Sequence, residues 1–133
     1  MKVLGLEFAS SNLNYVAIIG SSDSYRIETS SRISLGGTRD RDALVAFQDA
    51  VNTLLNDVAP DVLAIKEKPE TGKMRAGAAS LKMEGIILAN ASCPVVFISG
   101  QRLNQTADKA PALVSYLQPA LKVAVVAMNQ QTE

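Results

Sequence analysis

The chain of 133 residues has no histidine, no tryptophan and a single cysteine, Cys93. Without histidine there is no imidazole general base, no Ser-His or Cys-His pair and no imidazole metal ligand. Any metal would have to be held by carboxylates, which suits Mg²⁺ or Mn²⁺. A lone cysteine excludes an internal disulfide and a cysteine-cluster zinc site, and reads most simply as a buried apolar thiol. Aromatic residues are few, three tyrosines and three phenylalanines, and none lies in the charged stretch 66–84, so stacking on bases has no support there. Charge of either sign is not in excess: 13 basic residues balance 13 acidic ones. Global attraction to a polyanion or a membrane surface is therefore not expected, and only local patches can act. No apolar run reaches membrane-spanning length, and Met1 to Ala9 is interrupted by Glu7 and too short for a signal peptide. A cytoplasmic location with no membrane partner is expected.

What is present suits a single domain over residues 1–133 with one core. Lys2 to Phe8 and Tyr15 to Gly20 are apolar runs, and Tyr25 to Leu35 alternates more loosely, with serine-rich turns between them. This pattern predicts three strands in an antiparallel meander. After Gly36-Gly37-Thr38, the residues Leu44, Phe47, Val51, Leu54, Leu55 and Val58 recur at helical spacing up to Pro60. Val62 to Ile65 predicts a fourth strand, about Met74 to Ser92 a second helix, and Val95 to Ile98 a fifth strand. Pro119 suits the first turn of a last helix, Ala120 to Met128, whose only charge is Lys122. The order βββαβαβα, with helical crossovers after the third strand, implies an α/β fold. Its sheet is mixed and five-stranded, in order 3-2-1-4-5, with strand two antiparallel to the rest and helices covering it.

Charge crowds where the fourth strand stops. Lys66, Lys68, Lys73, Arg75 and Lys82 lie within one short span, against Glu67, Glu70 and Glu84, and Gly72 and Gly77 let a ligand approach the backbone. A phosphate or nucleic-acid backbone suits such a loop; a solvated surface loop is the plainer reading. Thr71-Gly72-Lys73-Met74 is not the end of a P-loop, because Glu67 stands where the first glycine is required and Met74 replaces the hydroxyl residue. Around the second helix, Ala78, Leu81, Gly85, Leu88 and Ala89 make one apolar face and Met83, Ile86 and Ile87 the opposite one. A helix apolar nearly all round is buried on more than one side. The side bearing Met83 and Ile87 is therefore expected to pack against another helix or a second copy of the chain, forming a homodimer through this helix. Glu84 is expected to be buried and to need a partner, either Lys66 or Lys68 in a structural ion pair or a metal shared with Glu67.

The order of elements and three short strings resemble the RNase H-like superfamily, in its RuvC Holliday-junction resolvase branch. Val3-Leu4-Gly5-Leu6-Glu7-Phe8-Ala9-Ser10 is similar to the opening strand of that branch, where an Ile-Gly-Ile-Asp-Pro-Gly pattern puts a metal-binding Asp at the position of Glu7. Ala64-Ile65-Lys66-Glu67 is similar to its fourth strand, which ends in a metal-binding Glu, and Phe97 to Leu103 to its fifth strand and the helix start after it. More closely, Glu67-Lys68-Pro69 through Gly72-Lys73, Ala76-Gly77-Ala78 and Leu81-Lys82-Met83-Glu84 resembles a bacterial family of domains of unknown function in the same superfamily.

The resemblance implies metal-dependent phosphodiester hydrolysis, with Glu7 and Glu67 side by side at the strand ends as catalytic and metal-binding carboxylates. Glu84 would be a further ligand, and Lys68, Lys73, Arg75 and Arg102 would hold phosphate. The departure lies in the last helix, where an Asp-x-x-Asp-Ala pattern is expected and Gln118-Pro119-Ala120-Leu121-Lys122-Val123-Ala124 is found. Lys122 would repel Mg²⁺ where an acid should bind it, and Asp108 is the nearest remaining carboxylate. A non-catalytic or weakly active module that binds nucleic acid or a nucleotide is thus the leading reading. A nuclease or phosphotransferase with a reduced carboxylate set and a structural, oligomerising protein are the alternatives.

Overall fold

The structure is a computed structural model that describes residues 1–21, 23–105 and 113–131. Three strands open the chain: β1 (Lys2–Ala9), β2 (Asn12–Gly20) and β3 (Tyr25–Ser34). The first hairpin turns through Ser10, in the left-handed region at φ 56°, and pairs Lys2 with Ile19 through to Ala9 with Asn12. α1 (Arg41–Val58) starts where the Asp40 side chain accepts the backbone N–H groups of Asp42 and Ala43, and ends at Ala59 in the left-handed region. β4 (Val62–Lys66) then runs parallel to β1. α2 (Ala78–Asn90) leads to β5 (Val95–Ile98), which is parallel to β4. The short α3 (Gly100–Asn104), a 3₁₀ turn at Ser115–Leu117 and α4 (Gln118–Gln131) complete the described elements. The sheet order is β3-β2-β1-β4-β5 with β2 antiparallel, as the patterning predicts.

Strand alternation divides the core between the two faces. On one face Leu4, Leu6, Phe8, Leu13, Leu63 and Ile65 meet Phe47 and Val51 of α1 and Met83 and Ile87 of α2. On the other, Val3, Val16, Val62 and Ile98 meet α4, whose residues from Ala120 to Met128 are all buried except Lys122. α4 lies very close to β1. A Cβ at Gly5 would meet the Ala120 carbonyl oxygen and come within 2.8 Å of the Ala124 Cβ, so only glycine fits at that crossing.

Two expectations are corrected. α2 begins at Ala78 rather than near Met74, because residues 69–76 close into a loop: the Ala76 N–H donates to the Pro69 carbonyl and the Arg75 N–H to that of Gly72. The side of α2 bearing Met83 and Ile87, 0% and 1% exposed, packs within the chain against the sheet and α1, so the helix expected there is α1 and that side is not left for a second copy. It is Ala78, Gly85, Leu88 and Ala89, on the other side, that remain exposed. Among the described residues no helix is long and apolar enough to cross a membrane.

Candidate functional site

Pairing register builds a polar row at the carboxyl end of β1. Leu6 is the Cα partner of Ile65 in the parallel β1–β4 pair, so the residues that follow, Glu7 and Lys66, stand level with each other. Across the hairpin Glu7 is opposite Asn14, and Asn14 in turn opposite Arg32. The row is linked by direct contacts. Lys66 Nζ lies 3.5 Å from Glu7 Oε2. Asn14 Nδ2 is 3.4 Å from Glu7 Oε1 and 3.4 Å from the Tyr116 carbonyl oxygen, and Arg32 Nε donates to Asn14 Oδ1 at 3.0 Å. The Arg32 guanidinium lies 4.2 Å from the centre of the Tyr116 ring, a cation–π contact that fixes the last member. Asn14 is 1% exposed, and both ends of its amide have partners, as burial requires. Asn14 is a site residue that sequence reasoning missed. Its signal was an amide inside the apolar run Leu13 to Ile19, one hairpin turn from Glu7.

Glu67 lies one residue beyond β4, is exposed, and donates its backbone N–H to the Ile98 carbonyl at 2.8 Å. It lines a cavity of about 560 Å³ together with Lys66, Lys68, Arg75, Gly77 and Ser99. The residue level with Glu7 is therefore Lys66, where Glu67 was expected. Glu84 is half-buried and ion-pairs with neither Lys66 nor Lys68. Burial, and after it the neighbouring Glu70, pushes its carboxyl above the ordinary range. Lys68 instead donates to Ser80 Oγ at 3.5 Å. Burial pulls its ammonium below the ordinary lysine range; Glu7 opposes that shift and Lys66 adds to it, so the three charges act on one another. Of the other basic candidates, Lys73 is exposed on the loop, Arg75 donates to the Gly72 carbonyl at 3.1 Å, and Arg102 is exposed on α3. Asp108 lies outside the described residues. Cys93 is half-buried, with its thiol pushed up by burial and then by Asp61, which favours the inert protonated form.

Lys122 lines a second cavity, of about 360 Å³, with Lys66, Leu103, Asn104, Ser115, Gln118 and Pro119. Lys66 thus borders both cavities. Among the described residues the donor set does not fit a divalent cation: the one carboxylate in the row already faces an ammonium and an amide, and the charged side chain that α4 brings is a second ammonium. Among the described residues no group of three or more acidic or cysteine side chains could hold a metal ion.

A mixed sheet of this order, with α4 laid over β1 and an acid near the end of β1, is the RNase H-like fold in its RuvC-like form. The chain is similar to Thermus thermophilus RuvC, with a TM-score of 0.80 at 16% identity over 99% of this chain and 96% of that one. It is also similar to the yeast mitochondrial Holliday junction resolvase, with a TM-score of 0.67 at 12% identity over 98% and 78% of the two chains. For the fowlpox virus resolvase in its complex with Holliday junction DNA the TM-score is 0.61 at 12% identity over 100% of both. At such identities the likeness shows the fold. By sequence the chain belongs to the DUF3010 family, described as a protein of unknown function, which it matches over residues 1–129. No curated protein matches it.

Proposed function

We propose that this chain is a nucleic-acid-binding module of the RuvC-like fold that does not cleave its ligand. The observation that carries the reading is Lys66, standing level with Glu7 and 3.5 Å from its carboxylate. Phosphodiester cleavage by divalent ions needs several carboxylates that hold the ions on either side of the reacting phosphate. Here a lysine faces the one acid of the row, and Lys122 brings a second positive charge to the same end of the sheet. Loss of such ligands removes several kcal/mol of transition-state stabilisation, and each ~1.4 kcal/mol is a tenfold loss of rate. Binding does not depend on those ligands. Lys66, Lys68 and Arg75 line one cavity against the single acid Glu67, and Lys73 extends the basic surface along the loop. Such a surface neutralises phosphates and releases counterions. A RuvC of the same fold has been captured with a Holliday junction substrate, which makes branched DNA the first ligand to try.

The test has two arms. With Mg²⁺ or Mn²⁺, branched and duplex DNA and RNA should remain intact. In fluorescence anisotropy the same ligands should bind with an affinity that falls steeply with salt, and the Lys73→Gln/Arg75→Gln double variant should weaken binding about tenfold. Robust metal-dependent cleavage abolished by Glu67→Gln would overturn the reading and direct attention to Glu84 and Asp108 as ligands. Absence of binding at low salt would overturn it equally.

Self-association is proposed for the exposed side of α2. Ala78, Gly85, Leu88 and Ala89 are exposed there, and Gly85 and Ala89 line a groove of about 490 Å³ with Leu44 and Val45 of α1, edged by Arg41, Gln48 and Lys82. Small residues let two helices approach closely, and a two-fold pairing would cover the same patch on both copies. Sedimentation should show a dimer that Leu88→Glu dissociates; a monomer at high concentration would count against it.

A further inference from the structure

We infer that the cavity between Lys66 and Lys122 is a metal-independent phosphate site, in which two ammonium groups neutralise a phosphate monoester or diester. The inference rests on the non-catalytic reading, in that a lysine replaces the acid Glu7 would need to share a metal, and it adds a ligand class and a location. The lining favours an anion. Among the described residues it holds two ammonium groups and no acidic side chain, with Asn104 and Ser115 as neutral hydrogen-bonding groups. Its volume of about 360 Å³ lies toward the lower end of the ~300–1,000 Å³ usual for small-molecule sites. That suits one nucleotide-sized group better than a duplex.

Lys66 is placed before any ligand arrives, and Lys122 faces the same cavity. Lys66 is steadied by Glu7, which Asn14 holds, and Asn14 is itself held by Arg32 and by the backbone of Tyr116. An ammonium carries three N–H donors. With one turned to Glu7, the others remain for a ligand, and little side-chain freedom is left to lose on binding. Lys122 is the only charged residue of α4 and sits half-buried among Leu121, Val123 and Ala124. Among the described residues it has no ion-pair partner. Of the described charges at this cavity, the two ammonium groups of Lys66 and Lys122 outnumber the Glu7 carboxylate behind them. A phosphate, at about −1 as a diester and −1.5 to −2 as a monoester, would restore the balance.

Binding measured in the presence of EDTA tests the site, with a free nucleotide and a strand as separate probes. Adenosine 5′-monophosphate and inorganic phosphate would be titrated by ³¹P NMR, and a short fluorescein-labelled single-stranded oligonucleotide by anisotropy. The protein should bind without metal, and Lys122→Gln and Lys66→Gln should each weaken binding about tenfold. Circular dichroism melts establish that the variants fold; should Lys66→Gln disturb the polar row, Lys122→Gln decides, because it lies outside that row. Binding that appears only when Mg²⁺ replaces EDTA would overturn the inference. So would binding in EDTA that ignores both lysine variants but drops in Lys73→Gln/Arg75→Gln, a result that leaves the nucleic-acid reading standing. Phosphate or nucleotide binding, with no binding of the oligonucleotide or of branched DNA at low salt, would uphold the site and overturn that reading. No binding of phosphate, nucleotide or strand would overturn the site.

Discussion

The two faces of β1 carry different loads. Toward α1 and α2 the strand presents Leu4, Leu6 and Phe8, all buried in an apolar cluster. Toward α4 the alternate residues are Val3, Gly5 and Glu7, and beside Glu7 stand Lys66, Asn14 and Arg32. One face is an ordinary core, tolerant of small changes in volume. The other combines a backbone crossing that admits no side chain with a polar row that is stable only while every member keeps its partner. Polar and charged side chains thus gather at one end of one face of β1, and its opposite face is apolar.

Five changes would break or sharpen that contrast. The largest effect is expected at Gly5. Gly5→Val drives a side chain into the Ala120 carbonyl and Ala124 and should cost on the order of 3 kcal/mol or prevent folding. Ile65→Val, a change of one methylene on the other face, should cost about 1 kcal/mol in the same urea titration. Comparable costs for the two would mean that α4 does not lie so close to β1. Next comes Asn14→Leu, which removes partners from Glu7, Arg32 and the Tyr116 carbonyl together; a loss of roughly 2 kcal/mol is expected. A neutral result would show that the row is wet and loosely held.

Lys66→Glu should cost less, about 1 kcal/mol at neutral pH, by placing two carboxylates level across β1 and β4. That variant should gain a melting temperature that rises with Mn²⁺, because the ion would bind only the folded pair. The unaltered protein should show no such rise, and an equal rise in both would refute the exclusion of metal by Lys66. The smallest effect belongs to Glu84, away from the row. Its raised carboxyl means that the folded state holds this proton more tightly than the unfolded chain does. The stabilisation is therefore complete below the ordinary glutamate value and is lost as pH rises through Glu84's higher one. Glu84→Gln should flatten that stretch of the stability–pH curve, a change under about 1 kcal/mol. A curve unchanged by the substitution would mean that neither burial nor Glu70 acts on this group.

Local patterns were enough for the strands, the crossovers and the sheet order, because alternation, turn residues and helical spacing act over a few neighbours and right-handed crossovers leave few topologies. The same local reading identified Lys122 as the only charge of the last helix, and the family resemblance marked it as standing where an acid is expected. Composition alone excluded imidazole chemistry, disulfides and zinc clusters. It could not decide which side of α2 meets the sheet. With Met83, Ile86 and Ile87 on one side and Ala78, Leu81, Gly85 and Leu88 on the other, hydrophobicity gives no preferred face.

The neighbour of Glu7 was beyond it for a related reason. Glu67 and Lys66 are adjacent in sequence, and the choice between them depends on a register between β1 and β4 set by packing over more than fifty intervening residues. A slip of one residue turns every side chain to the opposite face. The Leu6–Ile65 pairing, fixed as both bury their side chains against α1 and α2, carries Lys66 to the α4 side beside Glu7. The sequence by itself determined that this protein is an α/β sheet with basic and acidic residues gathered at one strand end. Only the tertiary structure decided that a lysine, and not a second acid, faces the carboxylate there, because side-chain direction in a parallel sheet is settled by non-local burial.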